Sequence, residues 1–216
     1  MSTALLLEIS EKLQRGKAKD VSALVTQALE ENIAPETILN EGLVSGMNVI
    51  GDKFRNNEVF VPEVLVAARA MNAGLKILKP ALSGAGVEPL GTAVICTVKG
   101  DMHDIGKNLV KMMIEGQGIA CIDLGVDVDP QVIVDTVKQN DVQLVCLSAL
   151  LTTTMHGQKD VIDALSTAGL RDKVRVMVGG APITQEFANE IGADCYTLDA
   201  ASAAKEAKRL ILEMRN

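Results

Sequence analysis

The chain has 216 residues, enough for one large domain or two small ones with cores of their own, and a formal net charge of −7. An acidic balance, with no Lys/Arg cluster beyond the scattered basic residues near the C-terminal end, argues against nucleic acid as a partner. No apolar run approaches the ~20 residues needed to cross a bilayer, so no membrane is expected as a partner either.

The opening stretch, Met1 to Leu13, lacks a basic n-region, soon turns charged, and reads as an amphipathic helix instead of a signal peptide. From there to about residue 82 the apolar spacing is helical. Leu5, Ile9 and Leu13 stripe a first helix, and Val21, Leu24, Val25, Ala28 and Leu29 a second. Pro35 opens a third, through Ile38, Leu39, Leu43 and Met47 to Phe54, which the turn Arg55-Asn56-Asn57-Glu58 ends. Pro62 opens a fourth, through Val66, Ala70, Met71, Leu75 and Leu78. Residues 1–82 are thus expected to form a four-helix bundle. Gly42, Gly46, Gly51 and Gly74 each cost a helix roughly 1 kcal/mol relative to Ala. Close helix contact and a ligand-related role are both open explanations for them.

Residues 83–91, Ser83-Gly84-Ala85-Gly86-Val87-Glu88-Pro89-Leu90-Gly91, read as a linker. After it the pattern alternates, with strands expected at 92–98, 119–124, 143–148, 174–178 and 194–198. Helices are expected near 105–116, 130–139, 155–168, 184–191 and 200–214. Five such units predict an α/β domain over 92–216: a doubly wound, Rossmann or flavodoxin-like parallel sheet of five strands in the order 2-1-3-4-5. Strands one and three would flank its switch point, where such sheets keep their ligands.

The loop after the first strand is Lys99-Gly100-Asp101-Met102-His103-Asp104-Ile105-Gly106-Lys107-Asn108. His103 can ligate a metal through one ring nitrogen while Asp101 accepts a hydrogen bond from the other, and Gly106 admits a bulky group near the backbone. A solvated His and an Asp104 that merely caps a helix are the plainer readings. A P-loop does not fit: five residues separate Gly100 from Gly106, and Asn108 stands where a magnesium-binding hydroxyl belongs. Ser148-Ala149-Leu150-Leu151-Thr152-Thr153-Thr154 follows the third strand and is rich in hydroxyls, which also suits ordinary loop and N-cap chemistry. Gly179-Gly180 ends the fourth strand, and His156 reads as a solvated or capping residue. Cys96, Cys121, Cys146 and Cys195 lie far apart with no Cys-x-x-Cys pair, which points to reduced thiols and a cytoplasmic compartment.

Taken in order, Asp101-Met102-His103-Asp104-Ile105-Gly106, Ser148-Ala149-Leu150 and Gly179-Gly180 resemble the cobalamin-binding module of methionine synthase and of the small corrinoid proteins of methyltransferase systems. Residues 46 to 62, from Gly46 to Phe60-Val61-Pro62, are similar to the helical cap that precedes that module, so the resemblance spans nearly the whole chain. It implies cobalamin or a related corrinoid, cycling between methylcobalamin and cob(I)alamin and bound base-off, with His103 as lower axial ligand of cobalt and Asp101 behind it. It also implies cofactor contacts from Met102, Asp104, Ile105, Gly106, Ser148, Leu150, Thr152, Thr154, Gly179 and Gly180, with Phe60 as a cap residue over the corrin. Thr153 stands where methionine synthase usually has proline.

The implied function is a methyl carrier, not catalytic alone. A substrate-specific methyltransferase would load it, a second methyltransferase would pass the methyl group to coenzyme M or tetrahydrofolate, and an ATP-dependent reductive activator would maintain it. The methyl donor stays open among methanol, methylamines, methylthiols, betaines and aryl methyl ethers. Alternatives are a cobalamin-dependent sensor, which lacks a visible output module, and the cofactor subunit of an adenosylcobalamin isomerase. A response regulator shares the fold but needs a Lys after the fifth strand, where the chain reads Thr197-Leu198-Asp199-Ala200-Ala201.

Overall fold

The structure is a computed structural model that describes residues 2–86 and 88–215; Val87, inside the expected linker, lies outside them, as do Met1 and Asn216. Two compact units make it up, Met1–Pro89 with Gly116–Gly118, and Leu90–Glu115 with Ile119–Asn216.

The first unit is helical. Its elements are α1 (Ser2–Gln14), α2 (Ala18–Glu30), α3 (Pro35–Thr37), a π-helical stretch (Ile38–Val44), α4 (Ser45–Arg55) and α5 (Val61–Gly84). The third expected helix is therefore present from Pro35 to Arg55, but its middle is wound one residue wider per turn. The wider turn buries both Ile38 and Leu43, five residues apart, together with Met47 and Ile50. The core adds Leu6, Ile9 and Leu13 from α1, Val21, Val25 and Ala28 from α2, and Val64, Met71 and Leu78 from α5. Close contact explains three of the glycines. A Cβ at Gly42 would stand 3.2 Å from Ile9, one at Gly46 3.1 Å from the Ser10 carbonyl, and one at Gly74 2.8 Å from Leu43. The fourth helix overruns the linker expected at 83–91, because α5 carries Pro80 internally and ends at Gly84. Pro80 and Lys76 are both exposed, so water can satisfy the carbonyl that Pro80 leaves unpaired.

The second unit contains β1 (Thr92–Val98), α6 (Ile105–Glu115), β2 (Ala120–Val128), α7 (Pro130–Gln139), β3 (Leu144–Ser148) and α8 (Gly157–Thr167). A 3-10 turn (Arg171–Lys173), β4 (Arg175–Gly179), α9 (Gln185–Glu190), β5 (Cys195–Tyr196) and α10 (Ala200–Met214) complete it. The five strands are all parallel, in the order β2-β1-β3-β4-β5. One face packs Val94, Cys96, Val98, Val145, Leu147, Val176 and Val178 against Ile133 and Val137 of α7, Val161 and Leu165 of α8 and Phe187 of α9. The alternate residues Ile95, Leu144, Cys146 and Met177 face α6 and α10. Lys107, buried in the first turn of α6, sets its ammonium 2.7 Å from the Asp123 carboxylate of β2 and fastens the helix to the sheet.

Three elements of this unit differ from expectation by two residues or more. β2 continues to Val128, since pairing with β1 resumes past two breaks in register, Cys96 opposite Gly125 and Val98 opposite Val128. β5 shrinks to two residues at the sheet edge, and α8 starts at Gly157, two residues later than expected, after a turn. The cysteines are free, and burial pushes the thiols of Cys96 and Cys121 up to about 12, so they stay protonated. Among the described residues no helix is long and apolar enough to cross a membrane.

Candidate functional site

In this strand order β1 and β3 are neighbours at the switch point, and Thr97, Ser148 and Gly179 form one rung across β1, β3 and β4. The loops that leave these strands share one carboxyl edge, so residues far apart in the chain converge there.

Asp101 is the centre of the convergence. It is wholly buried, and its carboxylate accepts four hydrogen bonds: from His103 Nδ1 at 2.7 Å and the His103 N–H at 3.1 Å on one oxygen, from the Leu150 N–H at 2.7 Å and Thr154 Oγ1 at 2.8 Å on the other. Burial works against the charge. The Leu150 N–H, the His103 ring and N–H, and the Thr154 hydroxyl outweigh it and hold the Asp101 carboxyl well below the usual carboxylate range. An ionised carboxylate only accepts, so the proton of the pair sits on Nδ1 and the lone pair of Nε2 points away from Asp101. The His103 side chain is 51% exposed.

Two neighbours that sequence reasoning missed fix this loop. Thr97, buried, donates its hydroxyl to the His103 carbonyl at 2.8 Å. Asp127, at φ +54° on β2, accepts from the Gly100 N–H at 2.7 Å and donates its own N–H to the Asp101 carbonyl at 3.0 Å. Gly100, at φ +82°, is the one loop residue whose conformation calls for glycine. The sequence reading ended the second strand at 124, short of Asp127.

The other expected residues take varied places. Leu150 serves Asp101 through its backbone, and its side chain is exposed, as are those of Met102 and Ile105. Gly106 faces open space. Asp104 closes the start of α6 through Asn108, whose N–H and side-chain amide it accepts at 2.8 and 3.0 Å. Ser148 ends β3 half-buried; Thr152 is exposed and stands outside the Asp101 network. Gly180 is sterically required, since a Cβ there would lie 1.8 Å from the Ala149 carbonyl oxygen, whereas Gly179 has room. His156 is exposed and sets its ring edge-on to Phe187 at 5.6 Å instead of capping α8. Phe60 is exposed at the start of α5 in the helical unit.

Sequence reasoning also missed Gln158 and Leu198. Gln158, fully buried, donates through Nε2 to the carbonyls of Leu147 and Gly179, both at 3.0 Å, and ties α8 to the ends of β3 and β4. Leu198, 87% exposed just past β5, joins Met102, Ile105, Leu150 and Leu151 among the exposed apolar side chains of this unit. The donor set limits what can bind. Among the described residues no three His, Cys, Asp or Glu side chains could hold a metal together. One half-exposed imidazole backed by a buried carboxylate, with apolar residues on either side, fits a metal that arrives with its other positions filled by a flat organic ligand.

Comparisons with known proteins give the family. Residues 91–208 match a family model described as a B12 binding domain, and residues 5–79 match a second model of the same description. Dimethylamine corrinoid protein 3 of Methanosarcina acetivorans is 42% identical over 208 residues, 96% of this chain and 97% of that one. The trimethylamine corrinoid protein of Methanosarcina barkeri is 42% identical over 187 residues, 86% of each chain. Among solved structures, a cobalamin-binding protein from Desulfitobacterium hafniense matches with a TM-score of 0.81 and 30% identity, covering 95% of this chain and 98% of that one. A chain of the methanol:cobalamin methyltransferase complex of Methanosarcina barkeri matches with a TM-score of 0.86 and 31% identity, covering 97% of this chain and 80% of that one.

Proposed function

This chain belongs to the B12-binding corrinoid proteins, and from that premise we propose that it is the methyl carrier of a methyltransferase system, holding its corrinoid base-off on His103. The observation that carries the reading is the buried, four-fold hydrogen-bonded Asp101 behind a half-exposed imidazole.

Each residue then has a task. His103 would offer Nε2 to cobalt, while Asp101 accepts the hydrogen bond from Nδ1–H, orients the ring and would raise its donor strength. Leu150 and Thr154 keep Asp101 ionised behind the imidazole. Met102, Ile105 and Leu150, whose apolar side chains are exposed, would contact the corrin together with Asp104 and Gly106. Ser148, Thr152, Gly179 and Gly180 would hold the displaced base and nucleotide tail, with the glycine pair offering no Cβ atoms to obstruct it. When bound, the corrinoid supplies a cobalt centre that accepts a methyl group in its reduced state and gives it up to a nucleophile. Phe60, exposed in the helical unit, would serve as the cap residue.

The partners are a donor methyltransferase, an acceptor methyltransferase using coenzyme M or tetrahydrofolate, and an ATP-dependent reductive activator, in a reducing cytoplasm suited to free thiols. Relatives named for dimethylamine and trimethylamine favour a methylated amine as donor. The test is the absorption spectrum of protein reconstituted with hydroxocobalamin, wild type beside His103→Ala. The expected result is stoichiometric red protein with nitrogen ligation in the wild type and a water-ligated, base-off spectrum in H103A. Failure to retain corrinoid, or base-on spectra in both proteins, would overturn the reading.

A further inference from the structure

We propose that Asp127 is a positioning residue for the Asp101–His103 pair, acting as a two-point clamp on the peptide that leads into it. The proposal rests on the reading of His103 as the cobalt ligand. From Ile95 to Val98, β1 advances three residues while β2 advances five, from Asp123 to Val128. The two additional residues are accommodated by left-handed backbone at Gly125, φ +85°, and at Asp127, φ +54°.

A left-handed aspartate inside a strand needs a reason, and its hydrogen bonds supply one. The bulge carries Asp127 over the end of β1, where its Oδ1 accepts from the Gly100 N–H at 2.7 Å and its own N–H donates to the Asp101 carbonyl at 3.0 Å. Both sides of the Gly100–Asp101 unit are thereby held from β2. The Asp101 N–H is held from within the loop, by the Val98 carbonyl at 3.1 Å. With its backbone fixed at three points, Asp101 can aim one carboxylate oxygen at His103 and the other at Leu150 and Thr154. Asp127 touches neither the imidazole nor the proposed cofactor; it acts through Asp101.

Three substitutions separate the clamp from the bulge. Asp127→Asn keeps the acceptor and tolerates the left-handed conformation. Asp127→Gly keeps the conformation and deletes the acceptor, and Asp127→Ala deletes the acceptor and strains the backbone as well. Full-length protein labelled with [15N]histidine and loaded with cob(II)alamin reports ligation by electron paramagnetic resonance, since a 15N ligand splits the cobalt lines into doublets and the cofactor's own 14N base into triplets. Thermal melting of the unloaded protein is read in parallel.

Wild type and D127N are expected to show the doublet. D127G is expected to melt like the wild type yet lose about tenfold in the ratio of His-ligated to unligated cobalt, as for other residues that orient a metal ligand. D127A is expected to lose the same ratio and to melt lower. An undiminished doublet in D127G, or a loss in D127N equal to that in D127G, overturns the clamp while leaving the ligand reading intact. A wild type without the doublet, matching His103→Ala, overturns the ligand reading and the clamp with it.

Discussion

A carboxylate removed from water is ordinarily costly, and Asp101 is affordable only because four donors surround it. Its carboxyl is held below the usual carboxylate range in the folded chain, so it binds fewer protons there than when unfolded. The stabilisation is therefore complete above the ordinary aspartate value of about 3.9 and is lost as pH falls through the lower folded value. Asp101→Asn is expected to cost about 1–3 kcal/mol at pH 7, because its amide N–H groups would meet the Leu150 N–H or the Thr154 hydroxyl. Urea titrations of the unloaded protein should show the gap to the wild type narrowing below about pH 4; curves that stay parallel would remove Asp101 as the source. Thr154→Val deletes one donor and should cost about 1 kcal/mol, with Thr154→Ser restoring it. The pairing of Asp101 with His103 was legible because two residues separate them and one short loop brings them together. The role of the Leu150 N–H was not, since a backbone donor has no sequence signature.

Elements were legible where local chemistry settled them. β1 runs over the expected 92–98 because a β-branched apolar run ends in a Gly-containing polar loop, and α7 and α10 likewise start on an Asp N-cap. β2 was read four residues short. Asp123, Gly125 and Asp127 carry turn propensity, and only the ladder with β1 holds them in the sheet. The π-helical stretch was illegible for a related reason, since its widened turn answers to packing against α1 and leaves the apolar spacing close to that of an ordinary helix. Gly180 belongs to the same scale. It sits at φ +131° with the Ala149 carbonyl where a Cβ would be, so Gly180→Ala should cost about 3 kcal/mol or more by urea denaturation. A cost under about 1 kcal/mol would mean that β3 and β4 separate easily at their ends. Gly179→Ala, with its nearest non-neighbouring atom 3.5 Å from the added Cβ, is the mild control.

For the whole molecule, the rule that parallel crossovers are right-handed leaves five strand–helix units few arrangements, and the observed order β2-β1-β3-β4-β5 is one of them. The stretch joining the two units is exposed at Gly84, Ala85, Gly86, Glu88 and Pro89, so elastase, which cuts after small side chains, should cut first after Ala85 and leave two resistant fragments. First cuts within either unit instead would show that the joint is protected in solution. The sequence by itself determined a helical part ahead of alternating strands and helices, and the placing of His103 beside Asp101, because apolar period, turn chemistry and motif spacing all act over a few residues. Tertiary structure alone decided what surrounds Asp101. Its donors at Leu150 and Thr154 lie 49 and 53 residues away in the chain, and Gly100 meets Asp127 across 27 residues. Partners at such distances are chosen by strand order and register, and a bulge of two residues in β2 is enough to bring Asp127 to the end of β1.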